Sequence, residues 1–296
     1  MTSIGQRTTN VNVEGHEEAD TKIAAHVMDM LEAGFRVILI LTTDTDVVVI
    51  HIWLYAAHIR DRYPDADIWI GFGPESSFRY YHVNTIFQDW GIDKCLALPF
   101  FHALTGSDTT SQFLKHGKKT AWSAWATYPY SCMIFKAVAD VPFCTIDESS
   151  TIFKCVERFV CLLYDQATDI KDVNELRREM FAKIGTPMET LPPTKASLLQ
   201  HVRRSIYQAS LWYESCTPLV GKPSPELFGW KKVADAGPEE FHWAPHWSDL
   251  PPAATGCREL VQCGCKALPL CTRKCRCHEA GLPCTTLCNC QGNCDH

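Results

Sequence analysis

FRVILILTTDTDVVVIHIWLYAAHIR, residues 35–60, is the segment from which we predict the fold. Its first part, residues 35–43, is short, apolar and rich in β-branched side chains, which predicts a buried strand. The polar sequence TDTD then predicts a turn, and the apolar residues after it predict a helix with some strand character at its front. A strand that passes through a polar turn into a helix is the beginning of a βα unit.

Segments on both sides extend this unit into an α/β domain. Residues 17–34 have the apolar period of an amphipathic helix, and Gly34 is a suitable end for it. The sequence ADIWIGF, residues 66–72, predicts a second strand, and residues 84–90 predict another helix. Because helices and buried strands alternate, we expect a largely parallel sheet flanked by helices.

The chain after Leu104 is predicted to be a helical extension. Its apolar pattern predicts two helices joined around Gly117 and longer helices in residues 149–166 and 194–214. Prolines and tryptophans dominate residues 218–254, which predicts an irregular connector. We therefore divide the chain into a domain of residues 1–185, a helical and Pro/Trp-rich segment of residues 186–256 and a cysteine module of residues 257–296.

Composition limits the class of protein. The 296 residues are 46% hydrophobic and 21% charged, as in folded globular proteins, and the net charge of −6 gives no overall attraction to nucleic acid. No run approaches the roughly 20 apolar residues that span a bilayer, and the first residues lack the apolar core of a signal peptide. We therefore expect an intracellular, soluble protein with no membrane partner.

The 16 cysteines fall into two groups. Six are scattered and are interpreted as inert core thiols: Cys95, Cys132, Cys144, Cys155, Cys161 and Cys216. The other ten fall between Cys257 and Cys294. All of these except Cys257 follow the pattern C-x-C-x5-C-x3-C-x-C-x6-C-x3-C-x-C-x3-C: Cys263, Cys265, Cys271, Cys275, Cys277, Cys284, Cys288, Cys290 and Cys294. Three tetrahedral zinc ions need twelve thiolate contacts, which nine cysteines supply if three of them, within the C-x-C pairs, each bridge two ions.

The cysteine module has few apolar residues, so a metal or disulfides must hold it together. A disulfide knot and a metallothionein-like sponge are the alternatives to an ordered zinc cluster. Cysteines one residue apart rarely pair with each other, and a sponge needs neither regular gaps nor the sequence GLP at residues 281–283. These observations favour the zinc module.

CGCKALPLCTRKCRCHEAGLPCTTLCNCQGNC, residues 263–294, resembles the tesmin-like CXC domain of chromatin and DNA-binding proteins. The resemblance implies three structural zinc ions, DNA as a partner and a nuclear location. It also places Lys274 at the position of a DNA-contacting residue. The zinc-bound module would be close to neutral, which is a poor footprint for phosphate, so docking to chromatin proteins is an alternative.

Three short acidic motifs form the other candidate site: HEEADT at residues 16–21, TTDTDV at 42–47 and LTGSDTT at 104–110. Their candidate ligands are Glu18, Asp20, Asp44, Asp46 and Asp108. Ligands of α/β sheets bind beyond the carboxyl ends of strands, and clustered carboxylates suit Mg²⁺. Each acid could instead have only a structural role, as a helix cap or through its favourable interaction with the positive end of a helix dipole.

The order of these motifs resembles the PIN-like superfamily of flap endonucleases and XPG nucleases, in which such acids bind two metals. The resemblance implies a nuclease site for Mg²⁺ or Mn²⁺ made of Glu18, Asp20, Asp44, Asp46 and Asp108. The sequence QFLKHGKKTA, residues 112–121, resembles the DNA-binding helix–hairpin–helix of that superfamily. Four residues are then expected to contact nucleic acid: Lys115, Gly117, Lys118 and Lys119.

Residues 16–294 also resemble a family of animal open reading frames, derived from mobile elements, that combines these motifs with a CXC tail. The nuclease superfamily begins with a further strand and two more acids, whereas residues 1–15 contain no Asp. We therefore expect an N-terminally truncated PIN-like domain with weak or absent hydrolysis. The alternative is a non-catalytic protein that binds DNA or chromatin. The lack of a G-x-S-x-G motif argues against a serine hydrolase.

Overall fold

The computed structural model describes residues 18–74, 77–182, 190–217, 221–234, 241–248, 263–265, 275–279, 284 and 288–291. The chain forms two compact units, Met1–Trp247 and Ser248–His296. The division into three parts with boundaries at 185 and 256 stays a prediction. Within the described ranges, no helix combines the length and the apolar character needed to cross a membrane.

The first unit begins with an α/β part. Its elements are α1 (Ala19–Glu32), β1 (Val37–Thr42), α2 (Thr45–Leu54) with a π-helical turn (Tyr55–Ile59), β2 (Asp67–Phe72), β3 (Arg79–His82) and α3 (Val83–Trp90). The central strand β2 pairs parallel with β1 and antiparallel with β3. The α/β class and the two predicted strands are confirmed, but the sheet formed by these residues is small and mixed rather than largely parallel.

A helical part follows and confirms the predicted change of pattern. Its elements are α4 (Ile92–Leu104), α5 (Lys118–Thr127), α6 (Tyr130–Asp140), α7 (Thr151–Tyr164), α8 (Val173–Ala182) and α9 (Lys195–Tyr213). The two longer helices expected from apolar periodicity are α7 and α9. In the second unit, the short helix α10 (Arg276–Glu279) lies within the cysteine-rich sequence.

The prediction that β1 is a fully buried strand is wrong. Ile38 and Ile40 are almost fully buried, whereas Val37, Leu39 and Leu41 are 71%, 51% and 64% exposed. Side chains alternate across a strand, so these two sets lie on opposite faces of the sheet. An unbroken apolar run has no alternation from which a strand buried on one face could have been predicted.

The predicted pair of helices around Gly117 is also wrong. Only the second helix forms, as α5, and residues 111–117 are an irregular loop in which Phe113 and His116 make a single β-bridge. Lys115 has a φ of 63°, in the left-handed region that interrupts a helix. These residues therefore do not form a helix–hairpin–helix.

The central helix of the first unit is α4, which packs against α2, α6 and α9 and has nine of its thirteen residues buried. Pro99 lies inside this helix and has no backbone N–H, so the hydrogen-bond ladder is interrupted there. The Tyr213 hydroxyl fills the gap. It accepts from the Phe100 N–H at 3.2 Å and donates to the Leu96 carbonyl at 3.2 Å. An inserted side chain thus satisfies the groups that the proline displaces.

Regular structure is present where an irregular connector was predicted. A 3-10 turn (Pro225–Phe228) leads into β4 (Trp230–Ala234), which pairs antiparallel with β5 (Phe241–Pro245). Pro225 lies at the turn and Pro245 at the end of β5, which are positions that need no backbone donor. Trp230 and Trp243 belong to the two strands of a hairpin rather than to an irregular segment.

A buried arginine attaches this hairpin to α9. Arg204, which is 2% exposed, donates to the carbonyls of Gly229 and His246 at 2.9 and 2.6 Å. Gly229 has a φ of 78°, and a Cβ at this position would lie 2.6 Å from the Gln200 carbonyl oxygen. Glycine is therefore required for the close approach of the hairpin to α9.

We predict that Tyr213→Phe lowers the free energy of unfolding by about 1–3 kcal/mol, because the Phe100 N–H and the Leu96 carbonyl lose their buried partner. Urea unfolding measures this change, and Tyr130→Phe, at a tyrosine that is 47% exposed, is the matched control. Equal stability of the two variants would show that the hydroxyl does not repair α4.

Candidate metal sites

Three of the predicted acidic residues meet in the first unit. Carboxylate oxygens of Asp20, Asp44 and Asp46 lie within 4.8 Å of one another. Asp46 is 8% exposed, and Asp20 and Asp44 are partly buried. Three oxygen donors at this spacing fit around one hard divalent cation such as Mg²⁺ or Mn²⁺.

The N-termini of two helices position these acids. Asp20 lies in the first turn of α1, and Asp46 lies in the first turn of α2. Asp44 caps α2, because its carboxylate accepts from the Asp46 N–H at 2.8 Å, while its own N–H donates to the Thr42 hydroxyl at 2.9 Å. The capping alternative is therefore correct for Asp44, but this cap uses only one of the two carboxylate oxygens.

Glu18 and Asp108 extend the acidic cluster. Burial raises the pKa of Glu18, a hydrogen bond with Gln208 lowers it, and nearby negative charges, including that of Asp108, raise it further. The pKa of Asp20 is raised first by burial and then by the surrounding carboxylates, again including Asp108. All five predicted acids therefore interact electrostatically, and three of them have the spacing of ligands to one ion.

A tight turn after α4 carries Asp108. Gly106 has a φ of 111°, and a Cβ there would lie 2.9 Å from the Gln112 Cβ, so the turn requires glycine. The Thr110 hydroxyl donates to the Ala103 carbonyl at 2.6 Å and ties the turn back to α4. The next helix, α5, begins well after this turn, so Asp108 does not cap it.

Sequence reasoning missed His102, which is bound to the cluster. Its Nε2 lies 2.7 Å from the Asp46 Oδ1, and both side chains are buried. Carboxylates that bind metals are commonly held by such hydrogen bonds, and this one leaves the second oxygen of Asp46 for a cation. The only signal in the sequence was a histidine in the apolar run LPFFHALTG, just before the third acidic motif.

Of the four residues around the start of α5 that are predicted to contact nucleic acid, Lys118 differs from the other three. Although the stem of Lys118 is exposed, its ammonium turns inward and donates to the His102 carbonyl at 2.9 Å and the Thr105 hydroxyl at 3.3 Å. Burial lowers the pKa of Lys118 to about 8, and the negative charge of Asp46 opposes this shift. This geometry disfavours a phosphate contact. The other three are exposed, and their roles stay predictions: Lys115, Gly117 and Lys119.

The second unit contains a cysteine cluster. Four sulfur atoms lie within 4.8 Å of one another, those of Cys263, Cys277, Cys284 and Cys288. Cys263 also belongs to a second group, together with Cys265 and Cys275. Its backbone N–H donates to the Cys288 sulfur at 3.4 Å, as backbone donors commonly do to metal-bound thiolates. Membership of two groups is the geometry that a bridging thiolate needs.

Sulfur separations match tetrahedral zinc and not disulfides. The Cys263 sulfur lies 3.7 Å from those of Cys284 and Cys290, and the Cys277 sulfur lies 3.6 Å from that of Cys288. Zn–S bonds of about 2.3 Å in a tetrahedron separate the sulfurs by about 3.8 Å, whereas a disulfide needs about 2.05 Å. Among the described residues, no cysteine forms a disulfide. The described cysteines of the module are therefore arranged for a zinc site and do not form a disulfide knot.

The structure also describes the six cysteines that lie outside the cysteine module. Burial raises the pKa of all six scattered thiols, to about 12 for Cys95, Cys155 and Cys161. Those three are buried in the core and the other three pack against it half-buried, in agreement with the prediction of core thiols. Three predicted site residues lie outside the described residues: Cys271, Lys274 and Cys294.

We predict that Asp20→Asn raises the melting temperature by a few degrees when no Mg²⁺ or Mn²⁺ is added. The pKa of Asp20 is raised in the folded chain. At pH values just above the ordinary carboxyl pKa, the folded chain therefore binds more protons than the unfolded chain. The free energy of unfolding consequently falls as pH rises through these values. The variant removes this loss and should also remove the stabilisation by added Mn²⁺. Differential scanning calorimetry with Asp89→Asn, an exposed acid on α3, as the control tests both effects. A lower melting temperature for Asp20→Asn would contradict the prediction.

We predict that Cys263→Ser lowers the zinc content per chain more than Cys265→Ser does, because Cys263 belongs to both sulfur groups and Cys265 to one. Elemental analysis of purified protein measures the content, and Cys132→Ser, outside the cluster, should leave it unchanged. Equal losses in the first two variants would rule out a bridging role for Cys263.

No protein-family model matches this chain, and no curated protein or solved structure is significantly similar to it.

Proposed function

We propose that the first unit is a divergent PIN-like nuclease domain that binds Mg²⁺ or Mn²⁺ and acts on DNA. The observation that carries this proposal is the meeting of Asp20, Asp44 and Asp46 at two helix N-termini. Carboxylates from separate motifs repel one another, and a bound cation removes that repulsion. Sites of this kind hold the metal ions of phosphodiester hydrolases.

The acids take different parts in this proposal. Asp20, Asp44 and Asp46 would hold one ion, and Glu18 and Asp108 would bind a second ion loosely. His102 would keep the Asp46 carboxylate in one orientation through its 2.7 Å hydrogen bond. A bound divalent cation supplies an activated water and neutralises charge that develops on the phosphate. Because only three acids have ligand spacing to one another among the described residues, we expect weak hydrolysis.

For the second unit, we propose three structural zinc ions in a CXC-like module, with Cys263 as one of the bridging ligands. The sulfur separations of 3.6–3.9 Å support zinc, and the nine-cysteine pattern supports the number of ions. Such a module would bring the protein to DNA in the nucleus. A zinc content of one ion per chain or less would remove the three-ion proposal.

A non-catalytic DNA- or chromatin-binding protein is the second candidate. The inward-facing ammonium of Lys118 favours it, because a lysine expected at the nucleic-acid interface instead satisfies carbonyls at the end of α4. In this case the acidic cluster would bind a cation only for stability, and the CXC-like module would carry the interaction with chromatin.

A cleavage assay separates the two candidates. We expect slow, Mn²⁺-dependent cleavage of single-stranded or flap DNA, and loss of that cleavage in Asp44→Asn/Asp46→Asn, because both acids belong to the ligand group. DNA binding should weaken as salt is raised and survive in the double variant, since phosphate contacts need no metal. Asp89→Asn is the control.

The possible results point in different directions. Cleavage that persists in the double variant would assign it to a contaminant or to another site. Binding of Mn²⁺ without any cleavage would favour the non-catalytic candidate. Rapid cleavage by the wild type would show that the acid set is complete enough for efficient catalysis, contrary to our expectation.

A further inference from the structure

A groove of about 540 Å³ opens beside the acidic cluster. Its polar end is formed by Glu18, Thr109 and Gln208, and its aromatic end by Tyr207, Trp230 and Trp243. Most of its lining therefore comes from α9, from residues 222–225 and from the β4–β5 hairpin. The function proposed above assigns no role to this groove.

The polar end is joined to the candidate metal site by hydrogen bonds. The Thr109 hydroxyl donates to the Gln208 Oε1 at 2.6 Å, and Gln208 also forms a hydrogen bond with Glu18. Thr109 directly follows Asp108 in the tight turn after α4. A ligand in the groove would therefore have one end next to the cluster of carboxylates.

The hairpin continues the aromatic wall to the outside of the groove. Lys232 lies directly opposite Trp243 in the antiparallel register, so the two side chains share a face with Trp230 and Phe241. Trp243 and Phe241 are 37% and 43% exposed, and the Lys232 ammonium lies 3.7 Å from the centre of the Phe241 ring. Two exposed lysines accompany the aromatic rings: Lys232 on the same face of the hairpin, and Lys222, which lines the groove.

We propose that this groove is a base-stacking subsite for single-stranded nucleic acid, whose strand runs from the lysines of the hairpin towards the acidic cluster. This proposal rests on the proposed nuclease function, because that function gives the reason for binding a strand here. Stacking of bases on the aromatic rings requires no metal. Aromatic faces interleaved with lysines are the means by which single strands are bound without sequence preference, through π-stacking and phosphate attraction.

The arrangement of charge favours a nucleic acid over an extended peptide. Aromatic grooves also bind proline-rich peptides, but those need no positive charge at one end and no acidic cluster at the other. In a strand bound here, the phosphates would contact Lys222 and Lys232, while the bases would stack on Trp243 and Trp230. Its next phosphates could approach the carboxylates only with a cation present, which is the condition for cleavage.

The test uses the full chain without added Mg²⁺ or Mn²⁺, so that binding is observed without cleavage. The probe is a short deoxythymidine oligonucleotide, and fluorescence anisotropy compares it with an abasic oligomer of equal length. We expect wild type to prefer the oligonucleotide that has bases. Trp243→Ala should lose about tenfold in affinity for it and lose that preference, the effect of one missing stacking contact.

Two further variants control for folding and location. Trp243→Phe keeps an aromatic face and should restore most of the binding. Trp247→Ala removes a tryptophan that is 59% exposed and lines a different cavity, and it should bind like wild type. Cross-linking through a 5-iodouracil base, followed by mass spectrometry, should label peptides that contain Trp243, Trp230 or Tyr207, and so separates this groove from any DNA contact made by the second unit.

Several results would overturn the proposal. Cross-links confined to other peptides, equal affinity for the abasic oligomer, or displacement of the oligonucleotide by a proline-rich peptide with tighter binding would each exclude a base-stacking subsite. The proposed nuclease function fails differently, through absence of Mn²⁺ binding and cleavage, while stacking on Trp243 would still be observed.

Discussion

Burial of α4 between α2, α6 and α9 is the constraint on which the first unit depends. A helix in this position has little water to satisfy its backbone, so an interruption at Pro99 must be repaired by the protein itself. Tyr213, at the end of α9, makes that repair and fixes α9 against the middle of α4. Both helices then hold the surroundings of the acidic cluster. The last turn of α4 places His102 beside Asp46, and α9 presents Gln208 to Glu18.

The acidic cluster itself opposes folding. Burial and mutual repulsion raise the pKa of Glu18 and of Asp20, so the folded state holds their charges less favourably than water does. Two helix N-termini and the hydrogen bond from His102 offset part of this cost. Lys118 supplies a nearby positive charge, but its donors are directed to carbonyl and hydroxyl oxygens. The cation of the proposed function would complete this compensation.

The sequence predicted those features that follow from local pattern and failed on those that depend on neighbours. The D-x-D motif after a strand was found because β1, the turn and α2 are contiguous, and the end of a strand in an α/β sheet is a defined place. His102 was missed because a histidine in an apolar helix is equally typical of a core residue. The inward turn of the Lys118 ammonium could not be predicted, because the direction of a long side chain depends on which acceptors lie near it. The half-exposed β1 escaped prediction because the number of covered faces is a property of the whole sheet.

The two metal sites differ in what the metal does for the chain. In the second unit the described cysteines are themselves the buried cluster, so zinc would replace the hydrophobic core that this short sequence lacks. In the first unit a continuous apolar core exists without any metal, and a cation would act only on the cluster at its surface. Loss of zinc should therefore cost the second unit its structure, whereas loss of Mg²⁺ or Mn²⁺ should leave the first unit folded. Under the proposed function, the acidic site would be free to bind a cation weakly and reversibly, as a site that also admits a strand of nucleic acid would need to do.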